Sequence, residues 1–300
     1  MQQNKLSFSQ RHPFVFGFAF IAAAAVLLVG AMAAARFFFF GGKGFHFSSQ
    51  VIGVVHVDGE INDARKVGDW IDSLENDNRV KGVLIRVNSP GGGVGPSQEL
   101  HRAVKRLAGK KPVVVSMGSV AASGGYYLSS PAHRIFASAG TITGSIGVKM
   151  ELTNFQGLMD KIGVGHQTLA SGGLKDAASP FRPLSDEERR YLDSLVMDMF
   201  DQFVGDVAGD RGLDVAQVKA IADGRAMTGR QAKEAGLVDQ LGDLRDALAD
   251  LKDRCGMTGD VSLLEGPPEE TNWLRDILSS ALSLRPLERA GGARWQFYYQ

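Results

Sequence analysis

Two short runs in this chain can do chemistry together. Residues 88–93 read NSPGGG, and residues 120–127 read VAASGGYY. The first offers backbone N–H groups on consecutive glycines, which no side chain shields. The second sets Ser123 between alanines and a Gly-Gly pair. A serine hydroxyl facing backbone N–H donors is what attack on a carbonyl requires, because the donors hold the oxyanion that forms.

Such a serine is a poor nucleophile until a base takes its proton. The six histidines are His12, His46, His56, His101, His133 and His166. His12 and His46 fall outside the core elements, His56 in a strand and His101 in a helix. His133 leads into a strand, and His166 follows a Gly-Val-Gly turn. Nothing in their placement selects a Ser-His-Asp triad. A lysine can serve instead if burial among apolar groups keeps it neutral. Lys175 stands in TLASGGLKDAASPFRPLS, a run of glycine and small residues ahead of a proline-stiffened loop. Locally, that run fits both a loop folded over a cleft and a solvated lysine beside Asp176.

The elements around these runs alternate. VIGVVHVDG (51–59), VKGVLIRVNS (80–89) and KPVVVSMG (111–118) read as strands. Asp63 to Asn76 and Ser97 to Leu107 have helical periodicity between them. The turn at Ser123 opens a helix through Tyr126–Ser129, and RIFASAGTITGSIGV (134–148) is β-rich. From Ser185 the pattern turns helical, opening on a capping box of Ser185 and Glu188. Two shorter helices end at Gly224 and Gly236. This order predicts an α/β fold, a parallel sheet with crossover helices. Active groups in such sheets gather at the carboxyl ends of strands, where both runs fall.

Composition sets the remaining bounds. Thirty-three basic residues balance thirty-three acidic ones, which gives no electrostatic reason to expect nucleic acid as a partner. Cys255 is the single cysteine, so an internal disulfide and cysteine-rich metal sites are excluded. Phe14 to Ala35 carries no charge and is long enough for a hydrocarbon core of roughly 30 Å. It reads as an uncleaved membrane anchor, with a cleaved signal peptide as the alternative because AMAAA offers small residues. The expected divisions are 1–13 as a short cytoplasmic segment, 14–40 as a transmembrane anchor and 41–50 as a linker. The catalytic domain is expected over 51–252, and a C-terminal extension over 253–300 with an amphipathic helix (273–284) and an aromatic tail.

Five segments in order, NSPGGG, SMGSVAASGGYY, TITGSIGV, SGGLKD and IADGRAMTGRQAKEAGLVD, resemble the signal peptide peptidase A family in its short, single-domain form. The resemblance spans about Val51 to Leu248. It implies a ClpP/crotonase-like fold and a membrane-anchored Ser-Lys protease. Ser123 is then the nucleophile, Lys175 the general base, and Ser145 the residue that orients the lysine amine. Gly124 and Gly92 become the oxyanion donors, with Gly91 and Gly93 as alternatives to Gly92. The resemblance further implies no metal or cofactor, and peptide substrates such as cleaved signal peptides. It also implies a homo-oligomer on the extracytoplasmic side of a bacterial inner membrane, spanning it once. Lys149, directly after TGSIGV, departs from the family pattern and reads as a substrate-groove charge or as a competitor for the base role. Rival readings are a crotonase-type acyl-CoA enzyme, a degenerate membrane scaffold, and a related membrane protease of the SohB type.

Overall fold

In a computed structural model, the described residues are 13–40, 50–268 and 298–299. The chain divides into two units, split between residues 48 and 49. The first holds one helix, α1 (Pro13–Phe40, 28 residues). Its side chains are described for Phe14, Val15 and residues 17–31. Among the described residues no helix is long and apolar enough to cross a membrane.

The second unit is an α/β fold. It begins β1 (Val51–Asp58), α2 (Arg65–Asn76), β2 (Val80–Ser89), β3 (Gly92–Gly93) and α3 (Val94–Ala108). It continues β4 (Val113–Ala122), α4 (Gly124–Ser129), β5 (Arg134–Ala137), β6 (Ile142–Gly144) and α5 (Gln156–Ile162). After α6 (Asp186–Arg211) and α7 (Val215–Ile221) come β7 (Ala226–Thr228), α8 (Gly229–Glu234), β8 (Gln240–Leu241) and α9 (Leu244–Arg254). β9 (Ser262–Gly266) and β10 (Tyr298–Tyr299) complete the described elements.

The sheet runs β7-β6-β4-β2-β1-β9, with β5 joining β4 to β8. Every pair in it is parallel except β6 with β7. Strands covered on both faces read as continuous apolar runs, and β2 and β4 do. Val55, Val83, Ile85 and Val115 pack on one face with Leu74, Val104 and Phe203. Ile52, Leu84, Val114 and Phe136 pack on the other with Ala247 and Leu251 of α9. β9 lies in the stretch expected as an extension, yet it pairs in parallel with β1 from Val51↔Ser262 to Val55↔Gly266. The amphipathic segment 273–284 and the linker residues 41–49 lie outside the described residues.

One strand differs from its expected bounds in a way that matters for the site. The third strand was expected to stop at Gly118, but β4 runs on to Ala122 and delivers the chain directly to Ser123. Asn88 explains the continuation. The register between β2 and β4 shifts after Val87, and the Asn88 side-chain oxygen accepts from Ser119 N (3.1 Å) and Val120 N (3.3 Å). A side chain thus takes over two backbone donors that the ladder leaves at the irregularity.

Candidate active site

Ser123 sits where β4 ends and α4 begins, with φ 52° and ψ −115°. L residues rarely adopt this region, and holding one there costs about 1–3 kcal/mol unless the surroundings impose it. Among the described non-glycine residues, positive φ occurs at Ser123, Ser145 and Ala178. Two of these three are serines that the sequence already marked. The conformation at Ser123 is imposed from both sides. Its N–H donates to Gly144 O and its C=O accepts from Tyr127 N, each at 2.8 Å. The next two residues must lack side chains. A Cβ on Gly124 would lie 2.3 Å from Ser97 Oγ, and one on Gly125 would lie 2.8 Å from Ser89 O. The Ser123 hydroxyl is fully buried and has no hydrogen-bond partner among the described residues.

The glycine turn is held just as tightly. Ser89 Oγ accepts from Gly91 N at 3.1 Å. Ile61 N donates to Gly91 O, and Gly93 N donates to Ile61 O, both at 2.9 Å. These bonds use the groups flanking Gly92 in a parallel bridge with Ile61. Backbone alternation therefore turns the N–H of Gly92 itself to the opposite edge. On that edge Tyr299 pairs antiparallel with Gly92, and Tyr298 with Gly93. Gly124 opens α4, so its N–H has no carbonyl one turn earlier in the helix. The two turns touch, because the Cβ position of Gly124 lies 3.3 Å from Gly91 Cα.

Ser145 belongs to the same neighbourhood. The β4–β6 ladder aligns Ala122 with Gly144, and Ser145 follows at φ 49°. Its N–H donates to Arg225 O at 3.0 Å, and its hydroxyl donates to Gly224 O at 3.1 Å. Lys175 does not join them. It is exposed on a turn, its backbone N–H bonds Gly172 O at 3.1 Å, and its amine makes no hydrogen bond with Ser123 Oγ. The structure thus brings Ser123, Ser145, Gly92 and Gly124 into contacting turns, and forms no hydrogen bond between Lys175 and Ser123 Oγ. The rival Lys149 forms an exposed ion pair with Glu151 at 2.8 Å.

Among the described residues no histidine replaces the lysine. His101 is buried and bonds Asp210 Oδ2 at 2.6 Å, stacked on Tyr127. His133 Nδ1 accepts from Val113 N at 3.2 Å, and burial pushes its pKa down. His56 faces Glu265, and His166 meets Thr168. The network at His101 had no signal in the sequence. Asp210 also accepts from Ser130 Oγ (2.8 Å) and Lys105 Nζ (2.8 Å). Burial works against its carboxylate, but the bonds from His101, Lys105 and Ser130 outweigh that and hold its pKa low. The network joins α3, which follows the glycine turn, to α4, which follows Ser123, through α6.

The segment bearing Lys175 is tied down by Arg182. Its guanidinium donates to Asp176 O (2.9 Å) and to both oxygens of Glu188, the Nη1–Oε2 distance being 2.8 Å. Glu188 also closes the expected capping box, accepting from Ser185 N at 2.9 Å while Ser185 Oγ accepts from Glu188 N at 3.2 Å. The Arg182 guanidinium, helped by the Ser185 N–H, holds the Glu188 carboxyl at about 2. A carboxyl lowered in the fold stabilises it above the unfolded value, and that contribution is lost as pH falls through the folded value. Stability should therefore drop as pH falls from about 4.5 toward about 2. Thermal melts of Glu188→Gln should show a shallower loss over that window than the unaltered chain.

These features belong to one class of α/β protein, with a strained, buried serine placed against two glycine turns. Within that class the chain belongs to peptidase family S49, whose profile matches residues 105–258. That stretch contains Ser123, Ser145 and Lys175, and the PGGG turn lies ahead of it. A Methanocaldococcus jannaschii protein named as a protease is 46% identical over 63% of this chain and 61% of its own length. An Enterococcus faecium protein carrying the name signal peptide peptidase SppA is 41% identical over 70% of this chain and 61% of its own. Protease 4 of Salmonella typhi is 40% identical over 64% of this chain and 32% of its own. The chain thus matches less than two thirds of the length of these relatives. Among solved structures, a ClpP1 mutant from Listeria monocytogenes aligns over 65% of this chain and 94% of its own, at 21% identity and a TM-score of 0.46.

Proposed function

We propose that this chain is a membrane-anchored serine endopeptidase that cleaves apolar peptides, cleaved signal peptides among them, on the ClpP/crotonase-like fold that the family resemblance implies. The observation that carries this reading is the Ser123 hydroxyl, strained, buried and unpartnered beside two glycine turns. In the proposed reaction, Ser123 Oγ loses its proton to the neutral amine of Lys175 and attacks the scissile carbonyl. The N–H groups of Gly92 and Gly124 hold the oxyanion, and losing one such donor costs about 10²–10³ in rate. The lysine returns the proton to the leaving amine. It then takes a proton from water, which hydrolyses the acyl-enzyme. Ser145 orients the lysine, and the scheme uses no cofactor.

Peptide binding has its own support. The outward edge of Gly92–Gly93 already accepts an extended segment, the chain's own Tyr298–Tyr299, by strand addition. A cavity of about 360 Å³ lies next to Ser145, lined by Val148, Val196, Met197 and Phe200 with Lys149 and Asp223. Its apolar walls suit Ala and Leu side chains. For the anchor, α1 has no charge before Arg36 and exposes Phe14, Phe18, Phe20 and Leu27. A helix apolar all round is at home in protein or lipid rather than in water. At 1.5 Å per residue its 28 residues reach about 42 Å, and the proposed anchoring puts the catalytic unit outside the membrane.

Lys175 must still reach a serine. The segment around it exposes Leu152, Phe155, Leu158, Ile162 and Leu169. Exposed apolar surface of this kind marks an association site, and self-association that packs this segment brings the amine to Ser123. The test is hydrolysis of an Ala/Leu-rich fluorogenic peptide by Ser123→Ala, by Lys175→Ala, and by the two mixed, between about pH 6 and 10. Each variant alone should be inactive. Activity regained on mixing assigns the lysine to a neighbouring copy, and none regained assigns it to the same chain. Full activity in Lys175→Ala would end the Ser-Lys reading.

A further inference from the structure

Ser97 lies in the first turn of α3, four residues past Gly93, and its side chain is completely buried. Its hydroxyl has no hydrogen-bond partner, a state shared among the described residues by Ser123 Oγ and Glu75 Oε2 alone. A buried hydroxyl left unpaired costs about 1–3 kcal/mol, so each case in a folded protein needs a reason.

The reason is in what Ser97 touches. A Cβ built on Gly124 would meet Ser97 Oγ at 2.3 Å, Ser97 Cβ at 3.2 Å and Gly91 Cα at 3.3 Å. The side chain of Ser97 therefore occupies the space that a residue at 124 would otherwise fill. Adding one C–C bond of about 1.5 Å puts Oγ within about 4 Å of Gly124 Cα. On the same side lies Gly91, the residue before Gly92. The contact packs α3, which follows the Gly91–Gly92 turn, against Gly124, beside the point where the two turns approach.

We infer that Ser97 is a positioning residue for the oxyanion hole, its side chain setting the distance between the Gly91–Gly92 turn and Gly124. The inference rests on the reading of Ser123 as the nucleophile. Oxyanion donors work only within about 2.7–3.1 Å of the oxygen they hold. Losing the atom packed against Gly124 lets the turns shift by tenths of an ångström, which the bound peptide hardly senses and the tetrahedral intermediate senses strongly. Ser97 therefore acts on kcat.

The experiment measures kcat, KM and melting temperature with the fluorogenic peptide, on the full chain in detergent, for Ser97→Ala and Ser97→Cys. Ser97→Ala should lower kcat by about 10-fold or more, below the loss of a whole donor. KM should stay within about twofold, because ground-state binding is untouched. Its melting temperature should be unchanged or higher, since an unpaired buried hydroxyl has been removed. Ser97→Cys, which keeps an atom at the γ position, should retain most of the rate. An unchanged kcat in Ser97→Ala overturns the inference, as does a lowered melting temperature with activity falling in proportion. A Ser97→Cys as slow as Ser97→Ala overturns it too, because the hydroxyl would then act by donation rather than by size. An unaltered chain that neither hydrolyses the peptide nor is labelled at Ser123 by a fluorophosphonate would fail the peptidase reading itself, a separate outcome.

Discussion

Replacing Ser123 by alanine should abolish peptide hydrolysis, lowering kcat/KM by at least about 10³-fold, with no loss of stability. The size follows from the chemistry. Without the hydroxyl no acyl-enzyme forms, and what remains is the modest rate that an oxyanion hole and binding alone can give to water. The unchanged stability follows from the structure. Ser123 Oγ has no partner to lose, and its backbone bonds to Gly144 and Tyr127 do not involve the side chain. Alanine meets the same strain at φ 52° as serine does. Removing a buried, unpaired hydroxyl is neutral or mildly stabilising. Hydrolysis rates and thermal melts on the two proteins decide it. Retained activity would point to a different nucleophile, and a marked fall in melting temperature would make Ser123 a structural residue.

The second large effect is expected at Gly92. A Cβ there would lie 2.4 Å from Ile61 O, 2.6 Å from Ile61 N and 2.7 Å from Ile61 C. All three atoms are backbone, so no rotamer change relieves the clash. Ile61 is itself pinned by its bonds to Gly91 and Gly93. Gly92→Ala must therefore push the turn outward and move the N–H proposed to hold the oxyanion. Activity should fall by about 10²-fold or more. Stability should fall as well, by about 1–3 kcal/mol for an overpacked site. Gly95→Ala is the control. It lies three residues on, inside α3, with no atom within 4 Å of the added Cβ. Alanine suits a helix better than glycine, so this variant should be as active as the unaltered chain and no less stable. Equal effects at Gly92 and Gly95 would show that the fit against Ile61 is not what matters.

What could be read from the chain in advance is what short-range chemistry determines. Consecutive glycines after a strand, a serine before Gly-Gly, the Ser185–Glu188 cap and the alternation of apolar runs all act within a few residues. Each therefore leaves its mark locally, and the sheet, the turn at Ser123 and the cap at α6 follow from them. The glycines after Ser123 are local as well, but the close approach to Ser97 and Ser89 that they permit is set by the fold.

The rest depended on partners far apart in sequence. Asn88 carries β4 past Gly118 because its side chain reaches across to a neighbouring strand. β9 finds β1 across some two hundred residues of chain. His101 meets Asp210 through helix packing that no periodicity encodes. Ser97 looked like one more small helical residue until the fold set it against Gly124. Lys175 shows the same limit from the other side. The resemblance implies a base there, but the residue is exposed on a turn in a segment with exposed apolar side chains. In the proposed reading the packing of that segment comes from self-association. Local sequence sets the conformation of each turn, whereas tertiary packing sets the distances between turns, and catalysis depends on those distances.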